Sequence, residues 1–102
     1  MDLRKLQDRL QTFADERDWN QFHSPKNLAM ALSVEAAELL EIFQWLTQAQ
    51  SRDLSSSQRA ALADEIADVQ IYLMRLADVT HVDIESAVEQ KIIKNAVKYP
   101  AS

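Results

Sequence analysis

Glycine is absent from this 102-residue chain, and few single omissions restrict a fold as much. Average usage would supply about seven. Type I′ and II′ hairpins and left-handed helix ends ordinarily rely on glycine, so the omission points away from sheets and towards an all-α chain. It also excludes the glycine-rich phosphate cradles, both the P-loop and the dinucleotide fingerprint. Any phosphate bound here has to be held by side chains or by metal.

At this length one domain over residues 1–102 is expected, burying roughly 65% of the surface its unfolded chain exposes. Cysteine is also absent, which removes disulfides, thiolate zinc sites and thiol nucleophiles together. No apolar run approaches the ~18 residues of a membrane span, and Met1-Asp2-Leu3-Arg4-Lys5 lacks a signal-peptide apolar region. A cytoplasmic protein with no membrane partner is expected. Sixteen acidic against eleven basic residues give a net charge of −5, which argues against a nucleic-acid polymer as partner. A small anionic ligand stays compatible if a metal inverts the local charge.

Sparse punctuation divides the chain into four helices. The first is expected over about Asp2–Arg17, with Leu3, Leu6, Leu10, Phe13 and Ala14 at helical spacing. Residues 18–24 form an aromatic-rich connector. The second helix starts on Ser24 as N-cap with Pro25 at its first position and is expected to reach about Thr47. The polar, Ser-rich segment 48–57 reads as a mobile loop, with a lid as one conceivable role, ending in a Ser N-cap. The third helix is expected over about Gln58–Asp78, and the fourth from Ile84 to about Lys98, capped by Asp83, with Val82 placed to staple against Ala87. Pro100 ends it.

In the second helix Leu28, Leu32, Glu35, Leu39, Ile42 and Leu46 form a packing seam, with a carboxylate at one seam position. The third helix carries Leu62, Ile66, Val69, Leu73 and Leu76 as its seam, with Glu65, Asp68 and Tyr72 on one shoulder. Glu38 and Trp45 share a shoulder of the second helix. Ala60, Ala63, Ala67, Ile71 and Met74 make the opposite side of the third helix apolar too. Such a helix needs cover on both sides, more than four short helices supply, so a homo-oligomer is expected.

Glu35 and Glu38 are i, i+3 neighbours, as are Glu65 and Asp68. If the two helices pack antiparallel, the pairs face each other. Four carboxylates beside Leu and Ile, with few cations on these faces, call for neutralisation. A hard divalent ion with all-oxygen ligands, Mg²⁺ or Mn²⁺, is the economical solution. The bland alternative is a solvated acidic face. A di-iron site would require Glu-x-x-His, and the nearest approach is Asp78 with His81.

These residues resemble a known family. Glu35-Ala36-Ala37-Glu38, a gap of 26 residues and Glu65-Ile66-Ala67-Asp68 are similar to the E-x-x-E and E-x-x-D signature of the MazG-like all-α nucleoside triphosphate pyrophosphohydrolases. Further blocks resemble the dCTP pyrophosphatase branch: Glu16-Arg17-Asp18-Trp19, Gln21-Phe22-His23-Ser24-Pro25, Asn27-Leu28, Phe43-Gln44-Trp45, Asp68-Val69-Gln70-Ile71-Tyr72-Leu73, His81-Val82-Asp83 and Lys98-Tyr99-Pro100. They run in order from about residue 9 to 100.

The resemblance implies a four-helix, MazG-like bundle completed by oligomerisation, as a homotetramer built as a dimer of dimers with sites between subunits. It implies hydrolysis of a deoxynucleoside triphosphate to the monophosphate and pyrophosphate, with dCTP or modified dCTP preferred, as nucleotide-pool house-cleaning. Glu35, Glu38, Glu65 and Asp68 would hold Mg²⁺, for which Mn²⁺ can substitute; Glu35, Glu38 or Glu41 would accept the proton of the attacking water, although a solvated Glu41 is the simpler reading. Trp19, His23, Trp45 and Tyr72 match positions lining the base site, against core or interface packing for the tryptophans and a mere helix-start role for His23. Lys91, Asn95, Lys98 and Tyr99 resemble phosphate and base contacts, against a solvated basic stripe. Lys98 departs from the family's arginine, so a bidentate contact becomes a point charge. His81 matches too, and reads as structural. Alternatives are a dUTP-preferring or broad-specificity enzyme, and a non-catalytic helical metal-binding interaction module.

Overall fold

A computed structural model describes residues 1–102. It contains helices α1 (Leu3–Glu16), α2 (Pro25–Phe43), α3 (Gln48–Ser51), α4 (Ser56–Thr80) and α5 (Ile84–Lys98), with a 3-10 turn at Asn20–Phe22 and no strand. No helix is long and apolar enough to cross a membrane. Side-chain N-caps start every α-helix. Asp2, Ser24, Thr47, Ser55 and Asp83 accept from the backbone N–H of Lys5, Asn27, Gln50, Gln58 and Ser86 respectively, satisfying donors that have no partner within the helix.

Several expected boundaries are corrected. The second helix ends at Phe43 rather than near Thr47, so Trp45 lies beyond it and shares no helical face with Glu38. The segment 48–57 is not simply a loop: Thr47 and Gln50 close a capping box around α3. A second box, Ser55 with Gln58, starts α4 two residues earlier than expected, and α4 runs on to Thr80. In both boxes the glutamine side chain bonds back to the N-cap N–H, a reciprocal closure that outweighs the weak helix propensity of the serines.

The chain forms left-handed helix ends without glycine. Asp18 has φ 55° and His81 φ 60°. After α1, Trp19 N–H donates to Ala14 C=O at 2.9 Å and Asp18 N–H to Asp15 C=O at 3.2 Å. After α4, Val82 N–H donates to Ala77 C=O at 2.9 Å and His81 N–H to Asp78 C=O at 3.3 Å. Both are Schellman closures, with a Cβ in the position glycine would ordinarily take.

Helices α2 and α4 form the principal pair, and α1 packs on α4. Both pairings are antiparallel: Glu35 meets Glu65 at mid-helix, whereas His23, just before α2, meets Arg75 towards the end of α4. The α2 seam is as expected as far as the helix runs, with Leu28 1% exposed and Leu32, Glu35, Leu39 and Ile42 half-buried; Leu46 is half-buried too but lies beyond the end of α2. The α4 seam is corrected. Leu62, Glu65, Asp68, Val69, Tyr72 and Leu76 are half-buried, whereas Ile66 and Leu73 remain 49% and 37% exposed. The helix is turned so that its acidic shoulder, rather than its most apolar edge, faces α2.

A polar row on α1 clamps α4. Arg4 makes a two-bond contact with Asp78 (Nη1–Oδ1 3.1 Å, Nη2–Oδ2 3.2 Å), buried Gln7 donates to Met74 C=O at 3.1 Å, and Gln11 accepts from Arg75 at 2.7 Å. The pairing of Asp78 with Arg4 leaves the Asp78/His81 approach to a metal motif without support.

Little of the chain is covered. Six of 102 residues are buried, and Ile92, Ile93 and Val97 of α5 are 62%, 67% and 80% exposed. The radius of gyration is 16.5 Å against about 13 Å for a compact chain of this length. Val82 and Ala87, the expected staple, line one apolar groove between α4 and α5 with Leu73, Leu76 and Val88.

Replacing His81 by glycine should raise stability by up to about 1 kcal/mol. The left-handed penalty of ~1–2 kcal/mol is relieved and partly offset by the extra unfolded-state entropy of glycine. Equilibrium urea unfolding measures it, and a lower midpoint would count against the strain assignment.

Candidate metal and nucleotide site

Helical spacing places Glu35 and Glu38 on one face of α2, and the α2/α4 pairing brings Glu65 opposite them. One carboxylate oxygen from each of the three lies within 4.8 Å of the others. Oε2 of Glu35 and Oε2 of Glu65 are buried and have no hydrogen-bond partner. Asp68, one turn along α4, lies outside that triangle, but its charge acts on both. The ion pairs of the chain link Arg4 to Asp8 and Asp78, and Arg17 to Glu16; none neutralises the cluster.

The electrostatic consequence is large. Burial first, then the hydrogen-bonding reach and charge of Glu38, Glu65 and Asp68, push the Glu35 carboxyl up to about 7. Burial, with the charges of Glu38 and Asp68, raises Glu65 as well. Buried carboxylate oxygens without donors are costly. A hard cation would satisfy them where no protein group does, and a purely oxygen donor set suits Mg²⁺ or Mn²⁺ better than softer metals. Glu41 is exposed, one turn beyond Glu38 and outside the triangle.

A second feature lies where α2 begins and α4 nears its end. Trp19, His23 and Tyr72 line a cavity of about 210 Å³ with Leu10, Phe13, Ile71 and Arg75. Phe13 meets Trp19 edge-on at 5.4 Å, and the Trp19 and His23 ring centroids are 6.1 Å apart. Burial and then the positive charge of Arg75 lower the His23 pKa.

The remaining expected residues are not brought to this cavity. Trp45 is 86% exposed past the end of α2, and Tyr99 is 68% exposed after α5, with Lys98 Nζ 5.3 Å from its ring centroid. Lys91 lines the apolar α4/α5 groove, and Asn95 stands exposed on the same stripe of α5. Sequence reasoning missed Arg75, which is buried with Gln11 and Asn20 bound to its guanidinium. Its signal was available: an arginine embedded in Ile71-Tyr72-Leu73-Met74-Arg75-Leu76-Ala77 has no solvated face to explain it.

The raised carboxyls give the metal-free chain a defined pH response. A folded-state pKa above the unfolded value means that the folded chain holds the proton more tightly between about 4.5 and 7. Stability from this group therefore falls as pH rises through that window. Metal-free melting temperature should drop from pH 5 to pH 8, excess Mg²⁺ should suppress the drop, and Glu35→Gln should flatten it. A metal-free profile that rises across this window would overturn the assignment.

A model of the MazG-like family matches residues 30–102. The chain is 46% identical over 101 residues to dCTP pyrophosphatase 1 of Rattus norvegicus and 46% identical over 102 residues to that of Homo sapiens, covering 97% and 98% of this chain. It spans 58% of the length of either relative. The crystal structure of a pyrophosphatase from Archaeoglobus fulgidus superposes with a TM-score of 0.92 at 42% identity, over 99% of this chain and 94% of the other. By these matches, and by the paired carboxylates that α2 and α4 bring together, the chain belongs to the MazG-like family.

Proposed function

We propose that this protein hydrolyses deoxynucleoside triphosphates to the monophosphate and pyrophosphate in a Mg²⁺-dependent reaction, with dCTP or a modified dCTP preferred, cleaning the cytoplasmic nucleotide pool. The observation that carries the proposal is the Glu35/Glu38/Glu65 triangle with its two unsatisfied buried oxygens. Its similarity to proteins named dCTP pyrophosphatase supports the substrate class.

Glu35, Glu38, Glu65 and Asp68 would hold Mg²⁺, for which Mn²⁺ can substitute, and the ion would supply neutralisation of the triphosphate charge and a lowered pKa for the attacking water. One carboxylate, from the cluster or Glu41, accepts that water's proton. Trp19 and Tyr72 offer faces for base stacking, which selects little among bases, so His23 supplies the directional contact. Lys91 and Lys98 supply point charges for phosphate, with Asn95, Tyr99 and Trp45 completing the nucleotide contacts.

Those last residues lie away from the cavity within one chain, which fits a site completed by a second copy. The exposed surface is 7862 Å², roughly 2,000 Å² more than a folded monomer of this mass should expose. That excess is in the range of an obligate interface and includes the apolar side of α5. The assembly proposed is a homotetramer, a dimer of dimers; sedimentation equilibrium should give four chains, and a monomer at micromolar concentration would sink it.

Pyrophosphate release across the four dNTPs with Mg²⁺ tests the activity, with dCTP expected to turn over fastest. Glu38→Gln and Asp68→Asn should each abolish release while retaining the helical spectrum, because loss of a ligand charge also relieves repulsion in the metal-free chain. Mg²⁺ should raise the wild-type melting temperature by binding the native state. Metal-dependent stabilisation with no turnover of any dNTP would identify a binding module instead.

A further inference from the structure

Arg75 is 3% exposed, yet none of the chain's ion pairs includes it. Neutral groups take its donors. Nη1 donates to Gln11 Oε1 at 2.7 Å, Nη2 to Asn20 Oδ1 at 3.4 Å, and Nε to His23 Nδ1 at 3.3 Å. The two amides donate onward to Asp15 Oδ1, from Gln11 at 2.8 Å and from Asn20 at 2.6 Å. Asp15 thus supplies the counter-charge at one remove, and the same two bonds, with Arg75's charge adding, hold its carboxyl below the usual range. The network spans α1, the 3-10 turn and α4, and ends on an imidazole.

A guanidinium has no acceptor, so the ring nitrogen facing it must offer a lone pair. That leaves Nδ1 unprotonated and puts the single proton of the neutral ring on Nε2. An imidazolium would set an N–H against the guanidinium and add like charge. Nε2 has no protein partner, and the ring lines the cavity with Trp19 and Tyr72.

We propose that Arg75 is a positioning residue that locks His23 in the Nε2–H tautomer, so that the site reads a nucleobase with a donor alone. Placed at N3, a donor suits a pyrimidine whose N3 is an acceptor, as in cytosine, and opposes one whose N3 carries a proton, as in thymine or uracil, whereas a contact at O2 would make no such distinction. A site built to make one polar contact discriminates against the base that leaves it unpaired. The selectivity half of this inference rests on the nucleotide reading above.

The lock is read on the intact protein by long-range ¹H–¹⁵N correlation of labelled histidine, with His81→Asn leaving a single imidazole and keeping a residue tolerant of the left-handed position. A neutral ring protonated at Nε2 is expected at pH 7, persisting below the usual histidine titration. A ring protonated at Nδ1, or an imidazolium, overturns the proposal without any substitution at Arg75. Arg75→Lys keeps the charge and loses the planar fork; it should mix the tautomers and reduce the dCTP-to-dTTP ratio of kcat/KM about fivefold. A shifted spectrum with an unchanged ratio overturns the selectivity half and leaves the activity proposal standing. Absence of pyrophosphate release from every dNTP sinks the activity proposal and the selectivity half together, while the spectrum still decides the lock.

Discussion

Glu35 and Glu65 face each other in the seam between α2 and α4, each with a buried oxygen that no protein group satisfies. Leucine in both places would give a more stable metal-free helix pair, because an isolated buried carboxylate loses its hydration and gains only repulsion from its neighbours. The chain keeps the carboxylates and turns α4 to accommodate them, leaving Ile66 and Leu73 towards solvent. The orientation of the largest helix and the raised Glu35 carboxyl both follow from this one juxtaposition.

The rest of the bundle holds that juxtaposition in register. Arg4, Gln7 and Gln11 of α1 tie down the last turns of α4 through side-chain bonds to Asp78, the Met74 carbonyl and Arg75. Two Schellman closures achieved with Asp18 and His81 set the exits of α1 and α4. The strained residues are confined to helix ends, where neighbouring hydrogen bonds over-determine the backbone.

Much of the local architecture was legible in the sequence. Ser24-Pro25 and Asp83 mark helix starts because a short polar side chain and a fixed φ act within a single turn. Thr47/Gln50 and Ser55/Gln58 were equally local signals, yet the serine-rich composition of 48–57 obscured them. The carboxylate spacing was legible for the same reason, being set by one helix's period. Arg75 was legible only as a charge out of place in an apolar run; its role was not, because that depends on Gln11, Asn20 and Asp15, which are separated from it by more than fifty residues.

By itself the sequence determined a helical, glycine-free chain with two acidic pairs at i, i+3 and no backbone cradle for phosphate. These properties are short-range, governed by backbone hydrogen bonding and side-chain period. Only the tertiary structure decided which face of α4 meets α2, that Glu38 as well as Glu35 approaches Glu65, and that His23 is held by a buried arginine. It also left α5 with its apolar side uncovered. Helix α4 is apolar nearly all round, so its rotation is a competition between faces of similar hydrophobicity, and that balance is struck only when the other helices are in place.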